Sequence, residues 1–342
     1  VPAPLRVLVA DDSPTACRAL AAFLRAPEFE VVAAVHSGEA AVERTIALRP
    51  NALTLDLQMP GIGGLAALDE IMTRCPTPVV LLTGVSGDAV RETVDGLARG
   101  AVGFLLKFAP GRDWGADTFG REVVSKVRAA AAVKVVRSLP ARSTMPLAPA
   151  SAGPTGNAPA VLVIGASTGG PAAVRELLSG LPRALAVLVV QHMPAGFTKG
   201  FAELLARQTG RAVREAEPGA RLEPGAVLVA PGGSHVALGS DMRLRPMAHA
   251  REIAYRPSID VAMVSAARAL GPRVTGVVLT GMGDDGVRGL AAIRAAGGRT
   301  FAQNEETSVV FGMPQRAAEA GAAGAVDSPA GIAARISREF AW

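Results

Sequence analysis

Apolar runs of four to six residues recur along the chain, and each is followed by a stretch in which apolar positions return every three or four residues. Within residues 1–137 the runs are Leu5–Ala10, Val31–Val35, Leu53–Leu57, Val79–Leu82 and Ala101–Leu106. The helical spacing falls near 14–26, 38–48, 64–74, 87–98 and 115–137. Short buried strands alternating with amphipathic helices predict a doubly wound α/β unit with a five-stranded parallel sheet. The pattern stops at residue 138 and restarts near 160. There Val161–Ile164, Leu185–Val190 and Val274–Leu279 read as buried strands of a second, larger α/β unit with a parallel sheet. Between the two, residues 138–159 hold five prolines among alanine, serine and glycine and show no periodicity. That composition predicts a partly extended, flexible tether. The expected organisation is therefore 1–137, a linker over 138–159, and 160–342.

Composition adds exclusions. A chain of 342 residues is long enough for two full cores. Two cysteines, Cys17 and Cys75, are too few for a disulfide framework or a structural zinc site and suit a reducing cytosol. No apolar run approaches membrane-spanning length and no signal-peptide pattern opens the sequence, so a cytoplasmic protein with no membrane insertion is expected, taken as a monomer. The net charge of +5 is uneven: residues 1–140 carry 15 basic and 15 acidic residues, and 141–342 carry 20 and 15. Aromatic residues make up only 4%, which gives no stacking platform, and nucleic acid is not an expected partner. A scattered excess of arginine is ordinarily a solvated surface, and it also favours encounter with acidic helices.

Candidate chemistry in the second half begins at VLVIGASTGGP, residues 161–171. An apolar strand stops at glycine, Ser167 sits in the G-x-S-x-G pattern Gly165–Gly169, and a helical pattern opens at Pro171. Strand, glycine turn, serine and helix is an arrangement that exposes a hydroxyl beside helix N–H groups able to stabilise an oxyanion. The same turn also serves as plain α/β architecture or as a phosphate cradle. Two later strands supply possible partners. Leu185–Val190 leads into Gln191-His192-Met193-Pro194, and Val274–Leu279 leads into Thr280-Gly281-Met282-Gly283-Asp284-Asp285-Gly286. Each of the three, read alone, has an ordinary structural reading: a strand-end histidine, a helix-capping aspartate. Together at matching strand ends they point to a Ser-His-Asp triad, because ligands of open α/β sheets collect at that edge. The order Ser, His, Asp differs from the Ser, Asp, His order of α/β-hydrolases. His235 is a competing base, His36 and His249 lack motif context, and Gln303 and Asn304 either line the cleft or build a turn.

The first half concentrates different chemistry at its strand ends: Asp11 and Asp12 after the first strand, Asp56 near the end of the third, Thr83 after the fourth and Lys107 after the fifth. Clustered carboxylates repel one another unless a cation binds, and an oxygen-rich cup suits Mg²⁺, here with Asp11, Asp12 and Asp56 as ligands. Metal and lysine would neutralise an incoming phosphoryl group and leave one carboxylate as nucleophile. Helix capping by Asp11 and Asp12 and a solvated Lys107 are the structural alternatives.

Residues 1 to about 130 resemble a response-regulator receiver domain. The resemblance implies that Asp56 is the phospho-acceptor, that Asp11 and Asp12 are the acid pair, and that Thr83, Phe104 and Lys107 are the switch hydroxyl, switch aromatic and conserved lysine. Phe108 stands where that family has proline, and Gly61-Ile62-Gly63-Gly64 replaces its x-M-D-G. Residues 160–342 resemble the catalytic domain of chemotaxis protein-glutamate methylesterases, through GASTGG at 165–170, QHMPAGFT at 191–198, APGGSH at 230–235, RPSID at 256–260, LTGMGDDG at 279–286 and QNEETSVVFGMP at 303–314. That resemblance implies a phosphorylation-activated serine hydrolase that demethylates glutamate γ-methyl esters of methyl-accepting chemoreceptors and deamidates receptor glutamines. A chemotaxis histidine kinase would be the phosphodonor, and the unphosphorylated receiver would restrain the hydrolase. It implies Ser167 as nucleophile, His192 as base and Asp285, immediately before Gly286, as orienting carboxylate. Thr168 and Met282 would be oxyanion or cleft residues. A phosphorylation-controlled binding module with a degenerate hydrolase fold, and a methylesterase of another pathway, are the alternatives.

Overall fold

The computed structural model describes residues 3–107, 116–133, 161–247 and 255–339. The residues form two compact units that divide between Ser143 and Thr144. The expected linker 138–159, Phe108 and His249 lie outside the described residues.

In the first unit β1 (Leu5–Ala10), α1 (Pro14–Phe23), β2 (Phe29–Val35), α2 (Gly38–Leu48), β3 (Ala52–Asp56), α3 (Gly63–Arg74), β4 (Val79–Thr83), α4 (Gly87–Ala98), β5 (Gly103–Leu106) and α5 (Ala116–Ala131) alternate strictly. The strands pair in parallel in the order β2-β1-β3-β4-β5. The order reverses between β1 and β3, and a crevice opens at their carboxyl ends. Serines start three of the helices: Ser13, Ser37 and Ser86 each accept the N–H three residues on, which satisfies a donor the helix cannot. Helix α5 ends at Ala131, short of the expected 137. The Val133 N–H turns back to Ala130 O, an i−3 bond that tightens and closes the last turn. Cys17 lies within α1, whereas Cys75 caps the end of α3 instead of lying inside it.

The second unit is built from β6 (Val161–Ala166), α6 (Gly170–Gly180), β7 (Ala186–Gln191), α7 (Phe197–Thr209), β8 (Val213–Glu215), β9 (Val227–Val229), β10 (His235–Leu238), β11 (Leu244–Met247), α8 (Ile259–Leu270), β12 (Val274–Val278), α9 (Val287–Ala295), β13 (Arg299–Gln303), α10 (Met313–Glu319), β14 (Ala325–Asp327) and α11 (Pro329–Glu339). Seven strands pair in the order β14-β13-β12-β6-β7-β9-β8, all parallel, and β10 and β11 form a separate antiparallel hairpin. Every residue of β6, β7 and β12 is buried, which is why these segments read as unbroken apolar runs without alternation. The reversal falls at β6, flanked by β7 on one side and β12 on the other. The chain segments that leave β6, β7 and β12 therefore open on one crevice. None of the described helices is long and apolar enough to cross a membrane.

Candidate active site and phosphorylation site

Ser167 leaves the end of β6 and His192 the end of β7. Ala166 and Gln191 are register partners and the His192 N–H donates to Ala166 O at 2.9 Å, so the two side chains start from adjacent strands at the same level. Asp285 comes from the loop after β12. Its Oδ2 lies 2.8 Å from His192 Nε2. The Ser167 N–H donates to Thr280 O at 3.0 Å, which ties the serine turn to that same loop. Gly281 has no room for a side chain: a Cβ there would lie 2.6 Å from the Ser167 Cβ and 2.5 Å from Met313 Sδ. Strand ends thus bring Ser167, His192 and Asp285 into one crevice, with Ser167 and Thr168 half-buried and Met282 exposed.

Asp285 is held more completely than strand order alone would require. Oδ1 accepts from Ser258 Oγ at 3.0 Å and from the Asp260 N–H at 2.9 Å, and Oδ2 also accepts from the Ile259 N–H at 2.7 Å. These donors are the N-terminus of α8, where unpaired N–H groups favour a negative charge. Burial pushes the Asp285 carboxyl up, but His192 and the α8 N–H groups outweigh it and hold the group below its ordinary value. Asp260 returns the arrangement by accepting the Gly286 and Gly289 N–H groups at the start of α9, at 2.9 and 2.8 Å. Asp284, by contrast, is exposed, and its carbonyl accepts the Val287 N–H.

Several of these supports were not identifiable as such from sequence. RPSID carried no assigned role, although a serine before an apolar helix is an N-cap signal. Tyr255, the chain's single tyrosine, stacks on the His192 ring with centroids 4.4 Å apart and planes 4° apart. Gln191 Nε2 donates to Ser167 O at 2.8 Å. Gln303 does not line the cleft: it is buried, its Oε1 accepts the Thr280 N–H and its Nε2 donates to Thr307 O, both at 2.8 Å, so it braces the Thr280 loop from behind. Asn304 builds a turn, accepting from Thr307 Oγ1 and donating to Glu306. His235 is buried in the β10–β11 hairpin, outside the seven-stranded sheet, and His36, in the first unit, donates from Nδ1 to Asp11 O at 2.8 Å.

At the crevice of the first unit, Asp11, Asp12 and Asp56 each offer a carboxylate oxygen, and these lie within 4.8 Å of one another. Lys107 Nζ reaches both Asp11 Oδ2 at 2.5 Å and Asp56 Oδ2 at 2.7 Å. Burial raises the Asp56 carboxyl above its ordinary value, Lys107 offsets this only in part, and Asp11 adds to it. Burial would lower Lys107, but its two carboxylate partners hold it above its ordinary value. Thr83 departs from the expected cluster. Its hydroxyl is buried against α4, accepts from Thr93 Oγ1 at 2.8 Å, and lies 3.3 Å from both Gly84 O and Ala89 O. Phe104 is buried, with Lys126 Nζ 5.3 Å from its ring centre.

Comparison with known proteins bears on both units. Residues 162–336 match the family model described as CheB methylesterase, and residues 7–113 match that of the response regulator receiver domain. Protein-glutamate methylesterase/protein-glutamine glutaminase 2 of Pseudomonas aeruginosa is 38% identical over 343 residues, covering 99% of this chain and 97% of that protein. The corresponding protein 4 of Myxococcus xanthus is 40% identical, covering 98% and 97%. Among solved structures, the Thermotoga maritima CheB methylesterase catalytic domain is 36% identical with a TM-score of 0.50, and the match covers 52% of this chain and 97% of that one. Two parallel-sheet units, a serine turn level with a histidine-aspartate pair at one sheet edge, and relatives matched along nearly their whole length lead to one assignment: the chain belongs to the CheB methylesterase family and carries a response regulator receiver domain ahead of its hydrolase domain.

Proposed function

We propose that this protein hydrolyses glutamate γ-methyl esters, and deamidates glutamines, on methyl-accepting chemoreceptors through Ser167, His192 and Asp285, under control of phosphorylation at Asp56. The observation that carries the reading is the 2.8 Å contact between His192 Nε2 and Asp285 on a histidine that starts level with Ser167. With Nε2 committed to the carboxylate, Nδ1 is the nitrogen that takes the serine proton, and it is buried with no hydrogen-bond partner among the described residues. Ser167 Oγ attacks the ester carbonyl, its proton passes to Nδ1, and Asp285 stabilises the imidazolium. The imidazolium returns that proton to the leaving methoxide, releasing methanol and an acyl-serine. Water then attacks the acyl carbon, His192 takes its proton and returns it to Ser167 Oγ, and the glutamate carboxylate leaves. The amide of glutamine follows the same course with ammonia as leaving group. The Ser167 N–H is already given to Thr280 O, so the oxyanion is assigned to groups of Thr168 and Met282.

Asp56 supplies the control. Asp11, Asp12 and Asp56 present hard oxygen donors close enough to share one divalent cation, which suits Mg²⁺ and fits the partial neutralisation Asp56 lacks. When bound, the ion neutralises charge on the incoming phosphoryl group. Asp56 attacks the phosphorus of a phosphohistidine on a chemotaxis histidine kinase, the natural donor; the P–N bond breaks, the donor's imidazole leaves, and Lys107 pairs with the phosphoryl oxygens. Thr83 then turns from Thr93 toward the new anion, and the ring of Phe104 repacks behind it. The cytoplasm is the compartment in which such a kinase and the receptor's methylated helices meet. Methanol release from methylated receptor, followed with and without acetyl phosphate and Mg²⁺, tests the reading. Release that rises on phosphorylation and is lost in Ser167→Ala supports it; an unchanged rate in Ser167→Ala rejects it.

A further inference from the structure

We infer that Tyr255 is a positioning residue for the reaction, holding the His192 imidazole in the plane from which Nδ1 meets Ser167. The inference rests on the triad reading above and concerns how the base is kept in place. The Cβ–Cγ bond holds one side of the His192 ring and Asp285 holds Nε2, but Nε2 lies near the axis of that bond, so the imidazole can still rock about it. Rocking changes the direction of Nδ1, and proton transfer from a serine is sensitive to that direction.

Tyr255 removes that freedom. Its ring lies face to face with the imidazole, 4.4 Å between centroids and 4° between planes. A flat partner at that spacing blocks rotation of the imidazole out of its plane on that side, which a hydrogen bond does not do. The tyrosine is itself wedged. A Cβ at Gly283 would lie 2.6 Å from the Tyr255 hydroxyl, and Gly283 has φ +99°, a conformation that favours glycine. The phenol therefore sits between the imidazole and the loop that carries Met282 and Asp285. Burial, followed by the charges of Asp284 and Asp285, pushes the phenol up, so it remains a neutral hydroxyl.

The chain economy is notable in its consequence: residues 255–260 serve both partners of the pair. Ser258, Ile259 and Asp260 hold the Asp285 carboxylate, and Tyr255, three residues earlier, holds the imidazole face. Displacing that segment would loosen both together. A flat ring is the requirement at 255, so phenylalanine should serve and leucine, apolar but smaller, branched and non-planar, should not.

The test is a cycle of full-length variants assayed for methanol release from methylated receptor. Tyr255→Leu should lower kcat about 100-fold, the cost of a displacement of about 1 Å at a reacting group, with KM within about twofold. Tyr255→Phe should recover kcat to within about threefold of wild type. In a His192→Ala background, Tyr255→Leu should cost nothing more, because a residue that acts through another adds no loss once that one is gone. Tyr255→Met is the second variant if the leucine form does not fold, and the same loss in kcat is expected of it. Unchanged kcat in Tyr255→Leu, a loss confined to KM, or an equal loss in the His192→Ala background overturns the proposal while leaving the triad standing. A His192→Ala variant as fast as wild type overturns the triad reading itself, and the positioning role with it.

Discussion

Two buried aspartates at the carboxyl edges of two parallel sheets have opposite electrostatic fates. Asp285 receives His192, a serine hydroxyl and two backbone N–H groups, and its carboxyl is held below the ordinary value. Asp56 has Lys107 and the Gln58 N–H at 3.3 Å, faces Asp11, and is raised above it. Sheet position alone therefore does not set the role of a strand-end carboxylate; the donors brought to it do. A carboxylate saturated with donors is a fixed orienting group with little nucleophilic character left. One that is short of donors recruits a cation and retains electron density for attack. The hydrolase edge spends a helix N-terminus on its aspartate, whereas the receiver edge leaves its aspartate in need of a ligand.

The largest expected effects lie on the saturated side. Ser167→Ala and His192→Ala should each lower turnover by about 10⁶, since triad members act as a unit. Asp285→Asn should cost about 10⁴, because the amide favours the wrong imidazole tautomer. Steady-state methanol release reads all three, and loss of only a few-fold in either of the first two would break the comparison at its catalytic end.

Stability sharpens it next, because the two edges should respond with opposite sign. A carboxyl lowered by folding stabilises the native state above its unfolded value, and that contribution is lost as pH falls through the folded value. A carboxyl raised by folding does the reverse: the penalty is present above the folded value and is relieved as pH falls through it. At neutral pH without Mg²⁺, Asp285→Asn should weaken amide-exchange protection in β6 and β12, and Asp56→Asn should strengthen it in β1 and β3. Both differences should shrink toward zero as pH drops below about 4. Two changes of the same sign would contradict the account.

The smallest effect concerns Thr83, whose hydroxyl is occupied by Thr93 in the unphosphorylated chain. Thr93→Val removes the hydroxyl that contacts both Thr83 Oγ1 and Ala89 O with little change of shape, and the loss at Thr83 is worth about 1 kcal/mol or roughly fivefold in the resting equilibrium. Basal methanol release should rise by up to that factor, and the gain on adding acetyl phosphate should shrink correspondingly.

Much of this was legible in the chain. Fully buried parallel strands write themselves as apolar runs, so Val161–Ile164 and Leu185–Val190 read as strands, within two residues of the observed Val161–Ala166 and Ala186–Gln191, and with them the positions of Ser167 and His192. Asp11, Asp56 and Lys107 were visible for the same reason. What sequence did not reveal are relations across long separations. Ser258 and Tyr255 act on residues about 30 to 60 positions away, through a helix start and a ring face that no local spacing records. The direction of the Thr83 hydroxyl was equally hidden, because a strand-end threonine can turn either to the crevice or to the neighbouring helix, and Thr93 decides it. Gln303 stayed open between cleft and turn for the same reason: only its buried partners, the Thr280 N–H and Thr307 O, show that it braces the Thr280 loop.

The most direct measurement of the central claim is mass spectrometry of the full-length protein after reaction with a fluorophosphonate, which phosphonylates activated serines and releases fluoride. The account predicts one adduct per chain, on Ser167, formed at the wild-type rate in Asp56→Asn and far more slowly in His192→Ala. An adduct on another residue, or labelling of Ser167 at the same rate without His192, would contradict it.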